Sequence, residues 1–354
     1  MDLPFKVEKR PPAPLWLRVT APIISVVAAL AVCSAFILYA GVNPLYGYYH
    51  LFAGALGSTL GLSETFVRFC PLLFCGVAVA LAFTAKFWNI GAEGQLYAGG
   101  LAATFFGVSF IGAPSALIIP LMFVSGFLGG ALWAAIPALL KTKLKVDDVV
   151  TTLMGNWIIW YFTSYLLTGP WKNPVTVWPE SPAIAPTAEF PILVPGTRIH
   201  LGIPVALFCA FIYFLIYARS SWGYELKAIG ANPKASNLMG INVTRGLVTV
   251  AILSGGIAGL AGVSELGGIH HHMKTDLSFG FGYTGIVIAM LGGLHPIGVT
   301  AAAFLMSVIS TGSQVMYRVT GVPYPISQVI EGMTLVCLLL GVFFTEYRIR
   351  RTRD

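Results

Sequence analysis

Three side chains able to hold a polar ligand, Asn89, Glu93 and Gln95, crowd into Phe87-Trp88-Asn89-Ile90-Gly91-Ala92-Glu93-Gly94-Gln95, in a chain where only 10% of residues are charged. A carboxylate in apolar surroundings is costly unless paired, so Glu93 is a functional-site candidate. Beside glycines at a helix start it can equally cap free N–H groups near the positive end of the dipole. Asn89 and Gln95 can bond a neighbouring helix or a polar ligand. A second glycine-rich stretch, Ser278-Phe279-Gly280-Phe281-Gly282-Tyr283-Thr284-Gly285, contributes Phe279, Phe281 and Tyr283. Together with Phe87 and Trp88, these aromatics can stack on a flat ligand ring or anchor the chain at a membrane boundary. The chemistry on offer is recognition and not bond breaking, because no nucleophile stands beside a base. His-Glu-x-x-His, Cys-x-x-Cys and the phosphate loop Gly-x-x-x-x-Gly-Lys-Ser/Thr are all missing from the sequence. His270-His271-His272 has no acidic or cysteine partner at ligand spacing and reads as a solvated loop. Cys33, Cys70, Cys75, Cys209 and Cys337 fall in apolar stretches and read as small packing residues.

The elements that must position these groups are membrane spans. Hydrophobic residues make up 56% of the 354 positions, whereas a soluble domain is about a quarter charged. Ten apolar stretches are predicted as helices, at about 19–40, 66–85, 95–112, 115–140, 149–168, 201–218, 246–264, 283–294, 297–316 and 325–345. Most reach the ~20 residues needed to cross a bilayer. The stretch at 283–294 is too short to cross unaided and reads as half of a broken element. The expected fold is therefore all-α, one polytopic transmembrane domain over residues 1–354 with about ten helices.

Lys and Arg set the orientation, since they are retained on the cytoplasmic side. With the N-terminus inside, 16 of the 21 fall in cytoplasmic segments and four in external ones, with Arg68 inside the second span. This predicts both termini and the loop 219–245 in the cytoplasm, and the proline-rich segment 169–200 outside, in a multi-pass protein of the cytoplasmic (inner) membrane. The net charge of +7 follows from that topology and from a lipid-facing rim, and not from a nucleic-acid footprint. Spans two to five enter from outside and spans seven to ten from inside, which predicts an inverted repeat. Such repeats place pathways at their interface, beside broken segments in matching positions. Glu93 and Phe281 sit in two such breaks, which are expected to approach each other. Gly126, Gly130, Gly255, Gly259 and Gly262 make small-residue faces suited to close helix packing. Glu265 and Glu331 are candidates to pair with Arg68, and Asn156 to bond between helices.

The loop 219–245 carries its own helix signal. Asn232 suits an N-cap, Pro233 the first helical position and Gly240 a stop, which predicts a helix over 233–239. Ala235, Leu238, Met239 and Ile241 give it an apolar side. A helix this short is marginal alone in water, so it needs a partner.

This loop, with Glu225, Asn232, Pro233, Leu238, Met239 and Gly240, resembles the coupling segment of ATP-binding-cassette importer permeases. Phe87 to Gln95, continuing through Leu96-Tyr97-Ala98-Gly99-Gly100, is similar to the Asn-Ile-Gly-x-Glu-Gly-Gln element of the ribose and branched-chain amino acid permease superfamily. Within it, Trp88–Gly100, Val150–Met154 and Gly285–Gly298 resemble nucleoside-type permeases that work with basic membrane lipoproteins. The likeness runs from about residue 43 to 345. It implies a permease subunit without enzymatic activity or bound cofactor, importing nucleosides or simple sugars. It also implies ATPase subunits that use ATP below it, a second permease subunit, identical or related, and an extracytoplasmic substrate-binding lipoprotein. The implied pathway residues are Phe87, Trp88, Asn89, Glu93, Gln95, Phe279, Phe281 and Tyr283. The competing reading is an ion-coupled secondary transporter, which needs mid-membrane coupling residues and leaves the capped cytoplasmic helix without a purpose. An intramembrane enzyme lacks a nucleophile–base pair or metal spacing.

Overall fold

The computed structural model describes residues 5–9, 14–110, 112–176 and 178–351. Among them are thirteen α-helices: α1 (Leu15–Tyr39), α2 (Pro44–Leu56), α3 (Thr59–Thr84), α4 (Ala92–Ser109), α5 (Ser115–Leu139), α6 (Asp148–Thr168), α7 (Gly202–Arg219), α8 (Ser221–Ala231), α9 (Pro233–Leu238), α10 (Val243–Glu265), α11 (Phe281–Leu291), α12 (Pro296–Thr320) and α13 (Tyr324–Glu346). Each of the ten apolar stretches is helical. Five of the described helices are long and apolar enough to cross a membrane by themselves, or up to six if Ile24–Tyr39 and Pro44–Leu56, bent by 116°, count as one span. The chain is an all-α polytopic protein. Helices α2 and α8 were not expected. Asn43 caps α2 by accepting from Leu45 N, and Ser220 caps α8 by accepting from Gly223 N. Both are short polar caps that a search for long apolar runs passes over.

The chain divides into two compact units, residues 1–61 with 308–354, and residues 62–307. In the first, α1 packs on α13, and a Cβ at Gly341 would fall on the Ser25 side chain. The unit also holds the described strands, β1 (Phe5–Lys9) and β2 (Tyr347–Arg351), paired antiparallel with Phe5 opposite Arg351. This pairing places the two terminal segments side by side. The basic residues of Tyr347–Arg351, a charge signal in the sequence, form a strand as well.

In the second unit, α4, α5 and α10 form the tightest contact. Here glycine is needed for close approach: a Cβ at Gly130 would sit 2.2 Å from the Gly255 carbonyl oxygen, and one at Gly259 would sit 2.3 Å from that of Gly126. In lipid, where apolar burial gives little drive, such backbone proximity supplies the packing. Segments predicted for the same side of the membrane also meet. Lys141 Nζ donates to the Lys86 carbonyl at 3.2 Å. The proline-rich loop, with a single 3₁₀ turn at Pro186–Ala188, is tied to residues 267–274 through Ser181 N to Met273 O (3.0 Å), Ile184 N to His271 O (2.9 Å) and Phe190 N to Gly267 O (2.8 Å).

Candidate functional site

The two broken segments touch. Helix α4 begins at Ala92 and α11 at Phe281, so two helix starts, each with unbonded N–H groups and a positive dipole end, face one another. Glu93 settles both. Its Oε2 accepts from Gly282 N at 2.7 Å, and the residue is buried. The carboxylate is thus a cap, as one of the two sequence readings had it, but it caps the other break's helix and not its own. Glycine at 282 is a requirement of this joint, since a Cβ there would lie 2.2 Å from Glu93 N and 2.5 Å from Glu93 Cα. One turn into α11, Gly285 meets Cys75, nine residues before the end of α3 at Thr84. The junction therefore lies about 14 Å along α3 from that end.

Asn89 and Gln95 form a reciprocal pair. Asn89 Nδ2 donates to Gln95 Oε1 (2.8 Å) and Ser254 Oγ (2.9 Å), while Asn89 Oδ1 accepts from Gln95 Nε2 (2.8 Å) and Gly91 N (3.0 Å). Ser254 Oγ in turn donates a hydrogen bond to the Ala78 carbonyl at 2.6 Å. Both amides are buried, and all four hydrogen-bonding positions of Asn89 are occupied from within the protein. Phe87 is fully buried. Asp148 Oδ2 accepts from Trp88 N at 2.7 Å and from Lys141 Nζ at 2.5 Å. The Lys141 ammonium also lies 5.3 Å from the Phe87 ring centroid.

The second break is held differently. Tyr97 Oη donates to the Thr275 carbonyl (2.7 Å) and accepts from Ser278 N (3.3 Å), and Trp160 Nε1 donates to the same carbonyl at 3.1 Å. Asn156 ties the two breaks together: its Oδ1 accepts from Gly94 N (2.8 Å), and its Nδ2 donates to Ile90 O (3.0 Å) and Tyr283 Oη (3.2 Å). Phe281 is buried, but Phe279 is 63% exposed and Tyr283 38%, as is Trp88 at 41%. Of the eight predicted pathway residues, five are therefore interior and three present surface. Asp148, Lys141, Tyr97 and Ser254 were missed. Lys141 sits in a lysine trio whose sum carried the topology signal. Asp148 had a signal that went unused: Asp147 alone caps α6, accepting from Val150 N at 3.0 Å, so an adjacent second carboxylate is free for another task.

The remaining candidates lie elsewhere. Glu265 Oε2 is 3.5 Å from His270 Nε2, and His272 Nδ1 is 3.0 Å from the Ser181 carbonyl. The three histidines, expected in a solvated loop, are half-buried against the proline-rich segment, because those backbone bonds draw the loop inward. The side chain of Glu331 lies outside the described residues. On the opposite loop, the predicted helix is present as α9, Pro233–Leu238. Asn232 Oδ1 accepts from Lys234 N and Ala235 N at 3.1 and 3.2 Å, and Gly240 adopts φ +86°. Leu238 and Met239 are 90% and 80% exposed.

Two discontinuous helices meeting start to start are an arrangement that membrane transporters use at their pathways. Residues 61–339 match the family described as branched-chain amino acid transport system / permease component. The chain belongs to that family and is a multi-pass permease subunit. It is 32% identical to a glucose ABC transporter permease of Haloferax volcanii over 99% of this chain and 94% of that relative. It is 31% identical to a nucleoside ABC transporter permease of Lactococcus lactis, covering 88% of each. Identity is 33% to a guanosine ABC transporter permease of Bacillus subtilis, over 93% of this chain and 94% of that one. No solved structure matches the chain.

Proposed function

We propose that the chain is the membrane-spanning subunit of an ATP-driven importer whose cargo is a nucleoside, with simple sugars as the second class. Permeases of this family work with ATPase and substrate-binding partners. On our reading the loop 219–245 and both termini are cytoplasmic, a second permease subunit completes the pathway, and a lipoprotein delivers cargo from outside. The observation that carries the reading is α9. Six residues held by an Asn232 cap, with Leu238 and Met239 projecting into solvent, form a structure that gains from burial in a partner groove, at ~1.5–3 kcal/mol for each of the two side chains. The nucleoside preference is supported by two of the three relatives named above and by the exposed aromatics Phe279, Tyr283 and Trp88, which suit a flat base.

The test is uptake into proteoliposomes by the purified complex. Leu238→Asp with Met239→Asp is expected to weaken ATPase association and reduce ATP-driven uptake at least tenfold, while helical content is unchanged because both side chains are exposed. Normal ATPase binding and uptake in this variant would remove α9 as the coupling element. In the same assay, excess unlabelled guanosine is expected to suppress labelled nucleoside uptake and glucose to leave it unchanged. The opposite pattern would assign the sugar class.

A further inference from the structure

The connector between α5 and α6 holds the first break and borders the α9 region. Helix α5 passes into a π-helical turn at Leu140–Leu144, which ends at Lys145 with φ +58°. Asp147 then caps α6, and Asp148 is its first residue. On one side, Lys145 shares the wall of a cavity of about 470 Å³ with Pro233, Lys234, Asn237 and Gly240 of the α9 region. On the other, Lys141 and Asp148 grip the chain just before the first break. Asp148 Oδ2 holds Trp88 N, and Lys141 Nζ holds both that oxygen and the Lys86 carbonyl. Asp148 is buried, and the Lys141 side chain is 24% exposed.

A buried carboxylate is strongly penalised if it loses its partners. The pair therefore has two reasons to move with residues 86–88, its ion pair and its backbone bond. A π turn is a common point of local rearrangement in helices and often occurs at functional sites. The turn itself carries Lys141, one half of the clamp at the break, and ends at Lys145, which borders the groove beside α9. Beyond the clamp the route is short: Trp88 leads in one residue to Asn89, which is locked to Gln95 and Ser254, and Glu93 bonds Gly282.

We propose that Lys141 and Asp148 are positioning residues for transport, the joint through which displacement at the cytoplasmic loop reaches the break before α4. This rests on the importer reading above. It differs from an ordinary surface ion pair, because the carboxylate must sit where Trp88 N can donate to it. Reversing the charges keeps an ion pair but moves the carboxylate away from the helix start that directs it at Trp88.

The experiment uses the complete complex, with its ATPase and binding protein, in proteoliposomes. Complex recovery, ATP hydrolysis and uptake are measured on the same preparations. Asp148→Asn, which leaves the partly exposed Lys141 ammonium to solvent and no buried charge, is expected to assemble normally and hydrolyse ATP, but to import at least tenfold fewer substrate molecules per ATP. Lys141→Arg, which keeps a cation and several donors, is expected to retain the wild-type ratio. The reversed pair, Lys141→Asp with Asp148→Lys, is expected not to recover it. A merely structural pair would lower recovery, hydrolysis and uptake together and leave the ratio unchanged, and the reversed pair would restore activity. Either of those outcomes overturns the proposal. Failure of the wild-type complex to couple ATP to uptake would instead overturn the importer reading.

Discussion

The two breaks in the helices are built from similar materials and put them to opposite uses. In the first, residues 86–91, the polar groups turn inward: Asn89 is saturated by Gln95, Ser254 and Gly91, Phe87 is buried, and Trp88 N is fixed by Asp148. In the second, residues 271–280, the backbone is tethered by Tyr97 and Trp160, and the aromatics Phe279 and Tyr283 present surface. A glycine-rich interruption in a membrane helix frees backbone groups that must be satisfied somewhere. The first break satisfies them with its own Asn89 and with Asp148, Thr152 and Asn156 of α6, and becomes a rigid joint. The second uses its own Ser278 and borrows Glu93 from the first helix start, and so keeps its aromatic side chains available to a ligand.

The most direct way to break this contrast is Asn89→Leu. The substitution keeps size but strands the Gln95 amide and Gly91 N in a buried site, at about 1–3 kcal/mol for each unsatisfied group. Thermal unfolding of the purified complex should fall by several degrees, and uptake should be lost with it. A variant of normal stability with only a raised KM would make the first break a ligand surface and dissolve the distinction. Gly282→Ala should be next in size. The new Cβ meets the Glu93 backbone and forces the breaks apart, a misfit of about 1–3 kcal/mol. Uptake should fall more than stability, because the displacement is local to the joint. An alanine variant that transports normally would show that the two breaks need not touch. The smallest and most selective effect is expected from Phe279→Ala. Stability should change by less than about 0.5 kcal/mol, as is usual for an exposed residue. The KM for uptake should rise several-fold with kcat nearly constant, the pattern of lost binding equal in ground and transition states. An unchanged KM would remove the second break from the pathway.

Much of this arrangement is legible in residues close together in the chain. Asn232, Pro233 and Gly240 specify α9 almost to the residue, because capping and helix termination are satisfied within one or two turns and need no distant partner. The ten apolar stretches are likewise local, since each helix satisfies its own backbone in lipid. The glycine faces on α5 and α10 could be read as packing surfaces, although not as surfaces for one another. By contrast, α8 and the terminal strand pair escaped notice, the first for want of a long apolar run and the second because its partners lie at opposite ends of the chain.

The sequence by itself determined which residues could cap, break or span, and that Glu93 had to be either a cap or a ligand group. Only the tertiary structure decided which helix it caps. Glu93 and Gly282 are 189 positions apart, as Asn89 and Ser254 are 165 apart, and no periodicity or spacing rule connects positions so distant. What brings them together is the close approach of α4, α5 and α10 through glycine. That packing fixes where each orphaned N–H emerges, and hence which side chain is near enough to receive it. The same geometry turned Asp148 from one of two adjacent carboxylates into a group that holds a backbone amide 60 residues away.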